Sequence, residues 1–313
     1  NSMKPVKMPN ATVTVSEFVL LCTIEKDQMT LTIVTLAVIY LVMLVGNLLV
    51  IVVNPPLYSP MSFYIATLAV VDVVNNSNLI PRMLANLLFN SSTVAYGLCL
   101  LQLSVVHHLG LVEGLLLSIM ACDRYVAIVY PLRYPSIITN LTVCFSILLV
   151  NVIAAAILTP NMVFTAELSF CHTNCFGDFV TILQVSFSED PRHLILLSST
   201  TTATGVGELA VILFSCVRIV KAALKICSAN GKKKAFSTLL THLLVVCLFN
   251  LPLMISYVVP GVGISAEAYN VLVIIAILVP PMLNPIIYSF RNKEIKSILY
   301  RMWAGKRVNP DSH

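Results

Sequence analysis

Seven stretches of this chain are each long and apolar enough to cross a membrane, and this restricts its fold more than any other feature. A bilayer core about 30 Å thick needs roughly 20 apolar residues per helix. Such runs cover approximately 29–54, 58–86, 96–128, 140–162, 194–226, 236–260 and 266–290. Glu208 interrupts the fifth and Pro252 the sixth. With 58% hydrophobic and only 11% charged residues, the 313-residue chain could not keep a soluble surface wet. A composition with 11 Gly and 9 Cys spread over that length also excludes a collagen, a disulfide scaffold and a disordered chain.

The expected fold is an all-α membrane protein, a seven-transmembrane helix bundle in one domain. Residues 1–28 form its extracellular N-terminus, 29–290 the bundle and 291–313 a cytoplasmic tail. Orientation follows from Lys and Arg, which collect in cytoplasmic loops. With the N-terminus outside, the cytoplasmic side receives Arg124, Arg133, Arg218, Lys221, Lys225, Lys232, Lys233, Lys234, Arg291, Lys293, Lys296, Arg301, Lys306 and Arg307. The outside receives Lys4, Lys7, Lys26, Arg82 and Arg192. The net charge of +5 is therefore a topology signal and an attraction to the anionic inner leaflet, not a nucleic-acid footprint. No cleavable leader pattern precedes the first span, which is expected to act as a signal anchor. In the tail, Ile295, Ile298, Leu299, Met302 and Trp303 follow helical spacing among basic residues, as in a short amphipathic helix lying on the membrane. The sequons at Asn10 and Asn90 fall outside and are candidate glycosylation sites; those at Asn75 and Asn140 fall in the membrane and on the cytoplasmic side.

An ionisable group in hydrocarbon is costly unless it faces the bundle interior and finds a partner. The candidates are Asp72 in span 2, Glu113 in span 3, Glu208 in span 5, and His107 and His108 a turn or two outside Glu113. Asn47 and Asn284 are uncharged partners within reach of Asp72. Two readings stand: a hydrogen-bond network that glues helices together, or a protonation or cation site that biases two packings of the bundle. Gly110-x-x-x-Gly114 beside Glu113 reads as close helix packing. Asp123-Arg124-Tyr125 ends span 3 with an ion pair at the water boundary, where a snorkelling Arg is the simpler alternative.

Several motifs carry a resemblance. Gly46-Asn47, Asp72, Asp123-Arg124-Tyr125 and Asn284-Pro285-Ile286-Ile287-Tyr288 in this order resemble a rhodopsin-like G-protein-coupled receptor. Leu57-Tyr58-Ser59-Pro60-Met61-Ser62-Phe63-Tyr64, Met120-Ala121-Cys122-Asp123-Arg124-Tyr125-Val126-Ala127-Ile128, Lys234-Ala235-Phe236-Ser237-Thr238 and Pro281-Met282-Leu283-Asn284-Pro285 are similar to signatures of vertebrate odorant receptors. The resemblance implies a small organic odorant bound from outside and a heterotrimeric G protein, of the cAMP-raising kind, engaged from the cytoplasm. Asp123, Arg124, Tyr125, Asn284, Pro285 and Tyr288 would form the switch, without cofactor or metal. It also implies a bond from Cys99 to Cys175, or less favourably to Cys171. This chain departs from the family at Cys122, where Tyr is usual, and at Cys216, where a Tyr that holds the released Arg is expected.

The pocket is expected in the outer halves of the helices. It would be lined by Gln102, Leu103, Val106, His107, Gly110 and Leu111 on span 3 and by Leu253, Met254 and Tyr257 on span 6. Val106 stands where amine receptors place an Asp, so an ammonium ligand lacks its counter-ion. A largely apolar molecule with one hydrogen-bonding group fits better, met by Gln102, His107 or Tyr257; His107 is equally readable as a helix-packing donor. Two other classes compete. An ion-coupled transporter would use Asp72, Glu113 and Glu208 but tends to show inverted repeats, which are not seen here. An intramembrane hydrolase would need His107 or His108 to activate Ser104 with a third orienting group, which no motif supplies.

Overall fold

The computed structural model describes residues 17–19, 26–53, 59–89, 93–167, 191–225 and 278–287, with isolated helical positions between 232 and 248. In chain order the helices are α1 (Lys26–Val53), α2 (Pro60–Phe89), α3 (Tyr96–Val129), the single turn α4 (Tyr134–Ile137), α5 (Asn140–Glu167), α6 (Pro191–Leu224) and α7 (Leu278–Ile287). Among the described residues, α1, α2, α3, α5 and α6 are each long and apolar enough to span a membrane.

In lipid every backbone polar group must be satisfied within the segment, so long apolar runs close on themselves as helices. Each helix then sorts its faces. On α1, Leu31, Val34, Val38, Leu41, Val45, Leu48 and Val52 recur every three or four residues and are exposed, while Leu36, Met43, Asn47 and Val50 form the buried stripe. An exposed apolar stripe of this length is a lipid-facing surface. On α5 the buried face is Val143, Val150, Ala154, Leu158 and Asn161, against outward Phe145, Leu148, Val152 and Phe164. Pro81 in α2 and Pro160 in α5 lie inside their helices.

The long helix α3 packs against α2, α5 and α6, and α1 packs on α2. The main core gathers Tyr64, Leu68, Leu116, Leu117, Met120, Val143, Val150 and Ala154 from α2, α3 and α5. Tyr64 and Ser146 join α2 to α5 through a hydroxyl pair at 2.9 Å. At α1 and α7 the helices approach closely: a Cβ on Gly46 would lie 3.1 Å from Pro285 Cβ, tighter than an ordinary van der Waals contact. Beside it Asn47 Nδ2 donates to the Pro281 carbonyl at 3.0 Å.

One feature is not helical. Glu17–Val19 pairs antiparallel with Thr93–Ala95, Phe18 opposite Val94, tying the N-terminal segment to the link between α2 and α3. Three-residue strands carry no periodicity by which a sequence could announce them.

Candidate functional site

The buried polar centre is assembled from four helices. Asp72 (α2), Glu113 (α3), Glu208 (α6) and Asn284 (α7) are all buried. Asn284 Nδ2 donates to Asp72 Oδ2 at 3.1 Å and also lies within hydrogen-bonding reach of Glu113, whose carboxyl neighbours are Asp72 and Glu208. Asn47 does not close the ring with Asp72: among the described residues its Nδ2 donates to the carbonyls of Met43 and Pro281. Asn76 Nδ2 returns to the Asp72 carbonyl at 2.9 Å. Asp72 Oδ1, Asn75 Oδ1, Asn76 Oδ1 and Glu113 Oε1 are buried acceptors without a hydrogen bond among the described residues. No Lys or Arg of the described residues lies within ion-pair distance of these carboxyls, and none of their acidic, His or Cys groups forms a metal-holding cluster of three.

Glu208 reaches this centre through Gly114. A Cβ on Gly114 would stand 2.6 Å from Glu208 Oε1 and 2.7 Å from Cδ, so the small residue makes room for a carboxyl group. At Gly110, by contrast, no atom of the described residues lies within 4 Å of where a Cβ would be. Of the paired glycines, Gly114 therefore permits the close packing of α3 and α6 that the sequence suggests, with the Glu208 side chain in the space a Cβ would take.

At the cytoplasmic end of α3, Arg124 Nη2 lies 3.1 Å from Asp123 Oδ2, with Asp123 buried and Arg124 partly exposed. Tyr134 donates its hydroxyl to Asp123 Oδ1 at 2.8 Å. Pro135 in the first turn of α4, where a helix has no use for an N–H, helps set Tyr134 at that position. Burial, and after it the Asp123 charge, push the Tyr134 phenol above its ordinary value, so it remains a donor. Tyr125 sits edge-on to Tyr130 at 6.0 Å and against Phe214 at 6.3 Å. Arg218 of α6 lies 5.9 Å over the Tyr125 ring with Nη2 3.4 Å from its hydroxyl. Cys216 is buried with Ala121, Ile212 and Ile219, and Ile128 packs on this group.

The outer stripe of α3 is mixed. Leu103 and Val106 are buried; His107, Gly110 and Leu111 are half-buried. His107 Nδ1 lies 2.9 Å from the Leu103 carbonyl, and His108 Nε2 3.3 Å from Asn151 Oδ1. Gln102 is turned toward α2: Nε2 donates to the Asn78 carbonyl at 3.0 Å, its carbonyl oxygen Oε1 accepts from Arg82, and its backbone carbonyl accepts from Asn78 Nδ2. Ser104 bonds the Leu100 carbonyl and Met162 Sδ, so the hydrolase reading gains no serine–histidine pair from it. Cys99 is buried near the start of α3. Leu253, Met254, Tyr257, Tyr288, Cys171, Cys175, Asn10, Asn90 and the tail helix lie outside the described residues.

Sequence reasoning did not find the Tyr134 partner of Asp123, the Arg82 partner of Gln102, or the approach of Glu208 to Glu113. The available signal for the last was Gly114, next to Glu113, which marks a close approach of another helix without saying which residue fills it.

A helical bundle with lipid-facing apolar stripes, a carboxyl-rich buried centre and an Asp–Arg pair ending its central helix is that of a multi-pass membrane protein. Comparison with known proteins gives the family: a profile described as olfactory receptor matches residues 36–306. The chain is 35% identical over 315 residues to human olfactory receptor 1M1, covering 97% of this chain and 99% of that one. It is 36% identical to human olfactory receptor 10A5, with 92% and 93% covered, and 32% identical to mouse olfactory receptor 1M1, with 95% and 97% covered. The chain belongs to the olfactory receptor family, whose members are seven-helix G-protein-coupled receptors of sensory transduction and not enzymes.

Proposed function

We propose that this receptor binds a small, largely apolar organic odorant from the extracellular side and activates a heterotrimeric G protein of the cAMP-raising kind at the plasma membrane. The observation that carries this reading is α3. One helix holds an apolar stripe toward its outer end, with Leu103 and Val106 buried and Gly110 and Leu111 half-buried, and the Asp123–Arg124 pair at its cytoplasmic end. Leu253, Met254 and Tyr257 of span 6 complete the pocket, and Tyr288 joins Asn284 and Pro285 in the switch. A disulfide from Cys99 to Cys175 and glycans on Asn10 and Asn90 belong to the same proposal, as do the single-domain layout of residues 1–313 and the amphipathic tail. A G protein would insert an apolar helix face into a groove opened as span 6 (236–260) moves away from α3, a helix-in-groove mode with basic residues at the rim.

The test separates the two ends. Filling the outer space with Val106→Phe should shift the odorant concentration for half-maximal cAMP by about tenfold or more, the scale of 1.4 kcal/mol. Arg124→Ala should instead remove the maximal response at matched surface expression. A Val106→Phe curve that superimposes on the wild type would place the ligand elsewhere.

A further inference from the structure

Both halves of the Gln102 amide are engaged inside the protein, the N–H side with the Asn78 carbonyl and the carbonyl side with Arg82. The residue expected to meet a ligand's polar group is therefore occupied. Its neighbour Arg82 carries a cationic guanidinium with five N–H donors. Among the described residues it donates to a neutral amide oxygen, and no carboxylate lies within ion-pair distance of it. A neutral acceptor orients a guanidinium without cancelling its charge.

The position suits a ligand. Arg82 lies seven residues inside the outer end of α2, about 10 Å at 1.5 Å per residue, and is half-buried at the seam with α3. Val106 follows Gln102 by one turn on the same stripe of α3. A molecule whose head meets Arg82 can lay its apolar part along that stripe.

We propose that Arg82, held against α3 by Gln102, is the charge-reading element of the odorant site and selects ligands whose polar group is a carboxylate. This rests on the receptor reading above and narrows its ligand class. Guanidinium offers donors only, and its paired N–H groups match the two oxygens of a carboxylate.

The test uses the purified full chain and follows its thermal unfolding midpoint with octanoate and with octanol. Octanoate should stabilise the wild type at roughly tenfold lower concentration than octanol. Arg82→Gln should abolish that preference while leaving the octanol response, and Arg82→Lys should keep part of it. Gln102→Glu places a carboxylate on Arg82 from within the protein and should also remove the preference, in a chain that folds with an added ion pair. Equal stabilisation by the two compounds, no stabilisation by octanoate, or a preference that survives both Arg82→Gln and Gln102→Glu overturns the proposal. A cellular cAMP assay separates it from the underlying reading. Responses to neutral odorants and none to acids would overturn the role of Arg82 alone, whereas octanoate stabilisation without any cAMP response would overturn the receptor reading alone.

Discussion

Asp123 accepts from Tyr134 on one side and faces Arg124 on the other, so removing the phenol leaves the ion pair less well oriented. A hydrogen bond to a charged group contributes ~1.5–3 kcal/mol, and with Tyr134 half exposed the lower end applies. Tyr134→Phe should therefore lower thermal stability and raise ligand-independent cAMP severalfold at matched expression. The sign with pH follows from the raised phenol: its contribution is present below a pH of about 10, the ordinary tyrosine value, and is lost only as pH rises through the higher folded value. The stability gap between wild type and Tyr134→Phe should thus be flat through neutral pH, and a gap that closes near neutrality would show another group at work. At Gly114 the same reasoning is steric. Gly114→Ala must push the Glu208 carboxyl aside, and Glu208→Ala should relieve it, giving a coupling of ~0.5–3 kcal/mol in a double-mutant cycle read by unfolding midpoints. Strict additivity would mean that the two residues do not meet.

Between helices, the seam of α3 and α6 decides how the cytoplasmic end opens. Cys216 is packed among Ala121, Ile212 and Ile219, with Tyr125 and Ile128 against them. A tyrosine there adds a hydroxyl that can reach Arg124 but also adds bulk, and overpacking costs typically ~1–3 kcal/mol. The comparison that isolates the hydroxyl is Cys216→Tyr against Cys216→Phe. Only the former should raise basal or ligand-driven cAMP at matched surface expression; equal effects would assign the change to volume. The spans themselves are legible from hydropathy because lipid imposes the same demand on every residue of a helix, and the face of α1 can be read from the spacing of Leu31, Val34, Val38 and Leu41. What is not legible is rotation of one helix about another. Depth places Asp72, Glu113 and Asn284 near one level, but whether Asn47 reaches Asp72 or the Pro281 carbonyl depends on a few tens of degrees. The turn of Gln102 toward Asn78 and Arg82, and of Glu208 toward Gly114, is set by that same rotation.

Across the whole molecule, the basic residues put one end of the bundle in the cytoplasm, and Arg124, Arg133, Arg218, Lys221 and Lys225 lie at the ends of helices or in the link that meets it. The opposite end carries the short β-ribbon and the stripe of α3 beneath it. In the proposed function α3, against which α2, α5 and α6 all pack, converts occupancy outside into a G-protein contact inside. The most direct measurement is cAMP in cells expressing the chain and exposed to a broad odorant panel, with Arg124→Ala at equal surface level beside it. At least one odorant should raise cAMP in a dose-dependent way through the wild type and not through Arg124→Ala. An odorant response that persists undiminished in Arg124→Ala would contradict coupling through the end of α3, and surface-expressed wild type silent to every odorant would contradict the receptor function itself.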